Sequence, residues 1–161
     1  MQIEMKIKGL MVDPVTNMPI VILKDDSDSR VLPIWVGIFE ANAIALKVED
    51  IETPRPMTHD LLQSLLRTFD ATVDKIVVSD LRENTYFALI HLRIGEAIHT
   101  VDARPSDALA LALRAGAPIF VEETVLDQAK TMESNRDLSD SERLKKWFEN
   151  LDPDEFSKYE M

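Results

Sequence analysis

Apolar segments separated by polar turns divide the first 36 residues into three predicted β-strands. Ile3 to Val12 and Met18 to Lys24 are joined by Asp13-Pro14-Val15-Thr16-Asn17, which contains the turn formers proline and asparagine. A second polar turn at residues 25–29 leads to a third apolar segment, Arg30 to Val36. The chain therefore begins with three short strands connected by tight turns.

The pattern becomes helical after Gly37. We predict a helix from about Ile38 to Val48, with Glu40 in its first turn, where a negative charge interacts favourably with the helix dipole. A proline-bounded segment, residues 53–57, then leads to Thr58, which we predict to be the N-cap of the next helix. That helix carries an apolar stripe at helical spacing. The stripe consists of Leu61, Leu62, Leu65, Leu66 and Phe69.

The second part of the chain repeats this order of elements. Strands are predicted near Ala71 to Asp80, Thr85 to Arg93 and Ala97 to Asp102, followed by a helix from Pro105 to Ala115 that ends at Gly116. The helix contains alternating alanine and leucine, a period-two pattern that would also suit a strand. Because both residues are strong helix formers, we predict a helix that is buried nearly all round. A short strand is expected at Pro118 to Glu122, and a further helix after it.

Residues Val12 to Lys47 resemble Ser79 to Arg114 without a gap, 67 residues further along the chain. This correspondence pairs Glu40 with Asp107 and Lys47 with Arg114. We interpret it as a duplicated unit of three strands followed by helices. The predicted fold class is α+β, with mainly antiparallel sheets, packed together or merged, around the Ala/Leu-rich helices.

The chain divides into a predicted domain at residues 1–130 and an acidic, amphipathic helical tail at residues 131–161. Ser139 to Glu142 has the spacing of a capping box, and the following segment carries an apolar seam. The tail is expected to pack on its own domain or on a symmetry mate, or else to dock another protein. We also expect a homo-oligomer. The seam consists of Leu144, Trp147, Phe148 and Leu151.

The charge, the cysteine content and the length of the apolar runs limit the kinds of protein that this chain can be. The formal net charge is −11, so the chain lacks the strongly basic surface with which many proteins bind the phosphate backbone of nucleic acids. There is no cysteine, which excludes disulfides and thiolate metal sites. No apolar run approaches the ~18 residues of a membrane span, and the N-terminus has no secretion signal. We therefore expect a cytoplasmic protein.

Two short stretches combine charged groups with prolines at predicted helix starts: residues 55–61 and residues 102–108. Helix N-termini bind phosphates through free N–H groups and a partial positive charge. An arginine beside a proline adds a planar phosphate clamp, and carboxylates bind Mg²⁺ or Mn²⁺. Histidine transfers protons near neutral pH. Together these residue types are typical of phosphodiester hydrolysis, in which a divalent metal polarises the phosphate and generates hydroxide.

Each of these residues also has a purely structural interpretation. Acids in the first turn of a helix are favourable partners of its dipole. Arg104 lies between Asp102 and Asp107 and would then form a buried ion pair that joins two elements. His91 and His99 fall in predicted strands and are expected to be structural or exposed, which leaves His59 as the candidate for proton transfer.

Several motifs resemble the bifunctional nuclease domain family, also called the DNase-RNase domain, over roughly residues 1–130. The resemblance implies a compact α+β domain that hydrolyses both DNA and RNA with little sequence preference. The family motifs contain eight candidate site residues. They are Glu40, Arg55, His59, Asp60, Asp102, Arg104, Ser106 and Asp107. The motifs are Leu32-Pro33-Ile34-Trp35-Val36-Gly37 with Glu40-Ala41, Arg55-Pro56 with Thr58-His59-Asp60-Leu61, Asp102-Ala103-Arg104-Pro105-Ser106-Asp107-Ala108 through Arg114, and Pro118-Ile119.

The leading hypothesis is a nuclease with DNA and RNA as substrates, assisted by Mg²⁺ or Mn²⁺. The alternative is a non-enzymatic, oligomeric binding module for a small anion or a protein partner. The roles assigned under the first hypothesis are catalysis for His59, Asp60 and Asp107, substrate binding for Arg55, Arg104 and Ser106, and metal binding for Glu40, Asp60, Asp102 and Asp107.

Overall fold

The computed structural model describes residues 1–27 and 29–135, which form a mixed α+β fold of seven strands and four helices. The predicted fold class is confirmed. The predicted tail, from residue 136 onward, lies outside the described residues. In chain order the elements are β1 Gln2–Val12, β2 Pro19–Lys24, β3 Val31–Trp35, α1 Ile38–Val48, α2 Thr58–Thr68, β4 Ala71–Arg82, β5 Thr85–Ile94, β6 Ala97–Ala103, α3 Pro105–Ala115, β7 Ile119–Glu122 and α4 Glu123–Asn135.

All seven strands form one sheet in the order β3-β2-β1-β7-β4-β5-β6. The predicted hairpins are antiparallel, and β7 lies between the two three-stranded groups. Ile119 in β7 pairs with Met5 of β1 in an antiparallel ladder and with Ile76 of β4 in a parallel one. The two groups of strands are therefore merged through β7 rather than packed face to face.

The order of three strands followed by a helix occurs twice in the described chain. Helices α1 and α3 are both 11 residues long and begin at Ile38 and Pro105, and the turns after β1 and β4 each contain an asparagine with positive φ, Asn17 and Asn84. The two halves also differ, because residues 49–57, all of them described, contain no strand equivalent to β7. Duplication as the origin of this order stays a prediction.

Helix α3 lies at the centre of the main hydrophobic core. It contacts α1, α2, β4 and β5, and the residues from Ala108 to Ala112 are all buried. This burial explains why the alternation of alanine and leucine is tolerated in a helix: small residues let neighbouring elements approach from every side. The expectation that the Ala/Leu helices lie between sheets is corrected, since a single sheet is present and α3 is covered by α1 and α2 instead.

Helix α2 has an apolar face that the described part of the chain does not cover. We call Leu61, Leu62, Leu65 and Phe69 the α2 apolar face. Leu65 is 48% exposed and Phe69 is 72% exposed, whereas His59 and Leu66 of the same helix point towards the core. A strongly amphipathic helix with its leucines in solvent is unusual, and contiguous exposed apolar surface commonly marks an interaction site.

None of the helices within residues 1–27 and 29–135 has the length and apolar character needed to cross a membrane.

Candidate active site

Three helices begin at one place in the fold, and their first turns supply a connected set of charged side chains. Glu40 lies in the first turn of α1, His59 in that of α2, and Asp107 in that of α3, while Arg104 is the N-cap of α3. We call these four residues the Arg104 network. Helix N-termini carry a partial positive charge and free N–H groups, which favour negative charge beside them. The carboxylates of Glu40 and Asp107 lie at two of these N-termini, and Arg104 is held between them.

Arg104 is held by two carboxylates from different helices. Its Nη2 atom lies 2.7 Å from Oε1 of Glu40 and 2.9 Å from Oδ2 of Asp107, and its Nε donates to the same Asp107 oxygen at 3.0 Å. The hydrogen bonds that Arg104 donates, to Glu40 first and then to Asp107, raise the pKa of Arg104 above its ordinary value. The side chain is nevertheless 66% exposed, so one edge of a fixed guanidinium faces solvent.

His59 and Asp107 form a close pair at the junction of α2 and α3. The Nε2 atom of His59 lies 2.9 Å from Oδ1 of Asp107. The imidazole is only 8% exposed, whereas the Asp107 carboxylate is 30% exposed. Asp107 therefore orients the histidine with one oxygen and Arg104 with the other, and it connects a buried titratable ring to the surface.

The local sequence explains the position of Glu40. Gly37 is the N-cap of α1, and the Glu40 side chain folds back over it so closely that a Cβ atom at residue 37 would collide with the Glu40 carboxylate. The backbone at Gly37 has ordinary φ and ψ values of −70° and 158°, so the glycine contributes space for the Glu40 carboxylate rather than an unusual backbone conformation. Because Gly37 has no side chain, the Glu40 carboxylate can lie over it and reach Arg104.

Asp60 forms a second ion pair next to the network, but on a different arginine. Its Oδ1 accepts a hydrogen bond from Nε of Arg114 at 2.6 Å, and its Oδ2 accepts one from the backbone N–H of Met57 at 2.9 Å. The Met57 bond, together with Arg114 and the charge of Lys47, lowers the pKa of Asp60 below its ordinary value although burial opposes this. Helix α2 begins at Thr58 with Met57 as its N-cap, so the predicted capping role of Thr58 is wrong.

Arg114 is the most buried cation of this region, with 5% of its side chain exposed. It donates to the backbone oxygens of Ala43 in α1 and Ala110 in α3, in addition to Asp60 in α2. The residue therefore ties three helices together. Sequence reasoning gave it no role, although it lies at the end of the longest motif and is paired with Lys47 in the repeat.

The other candidate residues lie outside the Arg104 network. Asp102 is exposed on the edge strand β6, where it pairs with Leu89, so the considered ion pair of Arg104 with Asp102 is replaced by the pairs with Glu40 and Asp107. Ser106 is only 7% exposed in the first turn of α3. Arg55 lines a separate pocket, of which Asp60 is also a lining residue.

The predicted metal ligands are not arranged as a metal site in this conformation. Among the described residues, no three histidine, aspartate or glutamate side chains are grouped closely enough to hold an ion. Glu40 and Asp107 do face a common cation, but that cation is the guanidinium of Arg104. The residues present thus do not fit a preformed Mg²⁺ or Mn²⁺ centre, and we derive no chemical step through a metal.

Comparison with known protein families identifies the family of this chain. Residues 21–134 match the family model described as the bifunctional nuclease domain, a range that includes the whole Arg104 network. The chain belongs to the bifunctional nuclease domain family. The resemblance found in the sequence motifs is thereby confirmed at the level of the family.

Similar proteins are found in Mycobacterium tuberculosis and in rice species. An uncharacterized protein of Mycobacterium tuberculosis is 37% identical over 162 residues, an alignment that covers 95% of this chain and 97% of the relative. Bifunctional nuclease 1 of Oryza sativa subsp. indica is 24% identical over 116 residues, covering 70% of this chain but 35% of the rice protein. A bifunctional nuclease of Oryza minuta is similar to the same extent.

Proposed function

We propose that this bifunctional nuclease domain hydrolyses phosphodiester bonds of DNA and RNA with low sequence specificity, at the Arg104 network. The observation that carries the proposal is the convergence of three helix N-termini on an exposed, fixed arginine beside a histidine–carboxylate pair. The rice relatives are named as nucleases, which supports the same chemistry.

Arg104 supplies the phosphate contact in this proposal. Its Nε and Nη2 atoms are engaged by Asp107 and Glu40, whereas Nη1 makes no hydrogen bond to any described residue. A phosphate oxygen can bind there without displacing the carboxylates that hold the guanidinium in place. Phosphate contacts carry no base information, so a site built on them accepts DNA and RNA of any sequence.

His59 and Asp107 supply proton transfer. With Nε2 bonded to Asp107, the Nδ1 atom, which makes no hydrogen bond with any described residue, is the base, and a histidine oriented by a carboxylate is a common arrangement in hydrolases. A water molecule attacks phosphorus and gives its proton to the imidazole, the P–O bond to the leaving sugar oxygen breaks, and that oxygen takes up the proton. Because the His59 ring is nearly buried, a second water relays the proton to it.

The experiment is cleavage of single-stranded DNA and RNA oligonucleotides by the purified protein. We expect His59→Ala and Asp107→Asn to lower the rate by about 100-fold or more, the usual loss for an acid–base group. His99→Ala, in an exposed position on β6, is the matched control and should keep the parental rate. Equal cleavage by all variants would assign the activity to a contaminating nuclease and would contradict the proposal.

Divalent-metal assistance remains a prediction within this proposal. The same reactions are run with Mg²⁺, with Mn²⁺ and with a chelator. Asp102→Asn tests one predicted metal ligand without changing the Arg104 network, because Asp102 lies on the exposed edge strand β6. If the chelator stops cleavage and Asp102→Asn also does, Asp102 is a metal ligand; if the chelator has no effect, the predicted metal dependence is wrong.

A second candidate function is supported by the α2 apolar face: an oligomeric, non-enzymatic module that binds a small anion or a protein. Four large apolar side chains on one helix face are exposed in the single chain, which favours contact with a second copy of this protein. Under this hypothesis the Arg104 network only clamps α1, α2 and α3 together. Its substitution would then lower thermal stability without abolishing any activity per folded molecule.

A further inference from the structure

A pocket of about 260 Å³ lies beside the Arg104 network and is not used by the chemistry proposed for it. It is bounded by the C-terminal end of α1, the segment between α1 and α2, and the first turns of α2. Three basic side chains line it: Lys47 from α1, Arg55 from the connecting segment and Arg114 from α3. Thr53 and Ser64 add hydroxyl groups to the same wall.

Two of these cations have side chains that make no hydrogen bond or ion pair with any described residue. They are Lys47 and Arg55; both are exposed at the pocket, and the charge of Lys47 also acts on Asp60. Two acids, Asp60 and Glu52, also line the pocket, but only Glu52 is available to offset the charges of Lys47 and Arg55. Both oxygens of Asp60 are already engaged, by Arg114 and by the Met57 N–H, so Glu52 is the remaining counter-charge against two unpaired cations.

The walls of the pocket are fixed before any ligand binds. The hydroxyl of Thr53 donates to the backbone oxygen of Arg55 at 2.7 Å, and the N–H of Ile51 donates to the oxygen of Leu46 at 2.8 Å. Pro54 and Pro56 flank Arg55 and restrict the backbone on both sides of it. The backbone that carries Arg55 is therefore restrained, and its ordering contributes little entropy loss when an anion binds.

The pocket is placed to extend the Arg104 network. Arg114 lies seven residues after Asp107 on α3, which corresponds to roughly 10 Å along the helix axis. Asp60, the residue after His59, lines the pocket while His59 contacts Asp107. The pocket thus adjoins the Arg104 network through neighbouring residues of α2 and along the length of α3.

We propose that this pocket binds a phosphate group between Lys47 and Arg55, with Arg114 behind it, and that it takes a second phosphate of the strand cut at the Arg104 network. The second half of the proposal rests on the proposed nuclease function, whereas the first half does not. The volume of the pocket suits a phosphate with part of a sugar, since pockets for whole drug-sized ligands begin at about 300 Å³.

The experiment measures binding of inorganic phosphate and of a short single-stranded oligonucleotide by calorimetry, at several salt concentrations. The test protein carries Lys47→Gln and Arg55→Gln. The matched control is Arg67→Gln, because Arg67 is an exposed cation on the last turn of α2, its side chain makes no hydrogen bond or ion pair with any described residue, and it does not line the pocket. All three side chains are exposed, so we expect the variants to fold, and thermal melting verifies this.

We expect the double variant to bind both ligands at least tenfold more weakly than the parent, with Arg67→Gln within twofold of it. The slope of log affinity against log salt for the oligonucleotide should fall by about 0.7, the contribution of one neutralised phosphate on a single strand. Unchanged phosphate binding overturns the proposal. Weaker phosphate binding with unchanged oligonucleotide binding overturns its second half and assigns the pocket to a free phosphate compound.

Failure of the nuclease proposal gives a different result. In that case His59→Ala and the parent are equally inactive, yet phosphate binding still depends on Lys47 and Arg55. The pocket and the Arg104 network are therefore tested separately.

Discussion

The Nε2 atom of His59 lies 2.9 Å from Oδ1 of Asp107, and this contact joins the first turn of α2 to the first turn of α3. The two residues are 48 positions apart in the sequence. Their other contacts extend the link, since Asp107 also binds Arg104, which binds Glu40 of α1. The contact is thus both a structural clamp between helices and the arrangement required of an acid–base pair.

The first prediction separates these two roles with His59→Gln. Glutamine keeps a polar group near Asp107 but cannot transfer protons at neutral pH, so cleavage should fall by about 100-fold while the midpoint of thermal unfolding changes by only a few degrees. Cleavage rates and melting curves on the same preparation provide the measurement. A loss of activity that merely follows the unfolded fraction would show that His59 is structural.

The second prediction concerns Gly37→Ala. The added Cβ displaces the Glu40 carboxylate and removes its bond to Arg104, so the rate should fall severalfold through a higher KM, because the phosphate-binding guanidinium is no longer fixed. Gly95→Ala is the control: Gly95 has positive φ in the β5–β6 turn, so the change is strained but distant from the site. If both variants had the parental KM, Glu40 would not position Arg104.

Helix α3 shows what the sequence could and could not establish. Its boundaries followed from Pro105 and Gly116, and Gly116 indeed takes the left-handed conformation, with φ of 65°, that ends a helix.

The pairing of β7 with both β1 and β4 was not predictable, because parallel and long-range pairing depends on how the whole sheet assembles rather than on a local pattern. The sequence showed which segments are strands but not their order.

The candidate site was predictable only in part for a similar reason. Charged residues at helix starts were evident, and the structure brings four of them together. The sequence did not indicate which acid belongs to which arginine: Asp60 pairs with Arg114 and not with Arg55, while Asp102 lies apart on β6. These choices are made by the packing of α2 across α3, which no local spacing reveals.

The third prediction concerns Asp60→Asn, which leaves the buried Arg114 without its counter-charge. We expect a loss of about 2 kcal/mol, between the values for exposed and fully buried ion pairs. Asp74→Asn is the control, because its partner Arg93 is half exposed, and it should cost less than ~1 kcal/mol. Equal losses from chemical denaturation of the two variants would contradict the assigned role of Arg114.

The same pair predicts a pH dependence. The pKa of Asp60 is lower in the folded protein than its ordinary value of 3.8. The stability it contributes is therefore fully present above that value and is lost as the pH falls through the lowered pKa of the folded state. The difference in unfolding free energy between the parent and Asp60→Asn should be constant from pH 5 to 7 and shrink below roughly pH 4. A difference that grows on acidification would contradict this.

The fourth prediction tests the homo-oligomer through the α2 apolar face. Light scattering after size-exclusion chromatography should give the parent a mass that is a multiple of 18.3 kDa. Leu65→Glu should convert it to a monomer without lowering its stability, because Leu65 is already exposed in the single chain. Val15→Glu, at another exposed apolar position in the β1–β2 turn, should leave the mass unchanged. A monomeric parent would refute the expected oligomer.

The most direct test of the central claim compares Asp107→Asn with Asp74→Asn in cleavage of a single-stranded oligonucleotide, with the folded fraction of each measured in the same buffer. Both substitutions remove one carboxylate charge from an arginine partner, but only Asp107 belongs to the Arg104 network. We predict a loss of at least about 100-fold for Asp107→Asn and the parental rate for Asp74→Asn. Equal rates per folded molecule for the two variants would contradict the account.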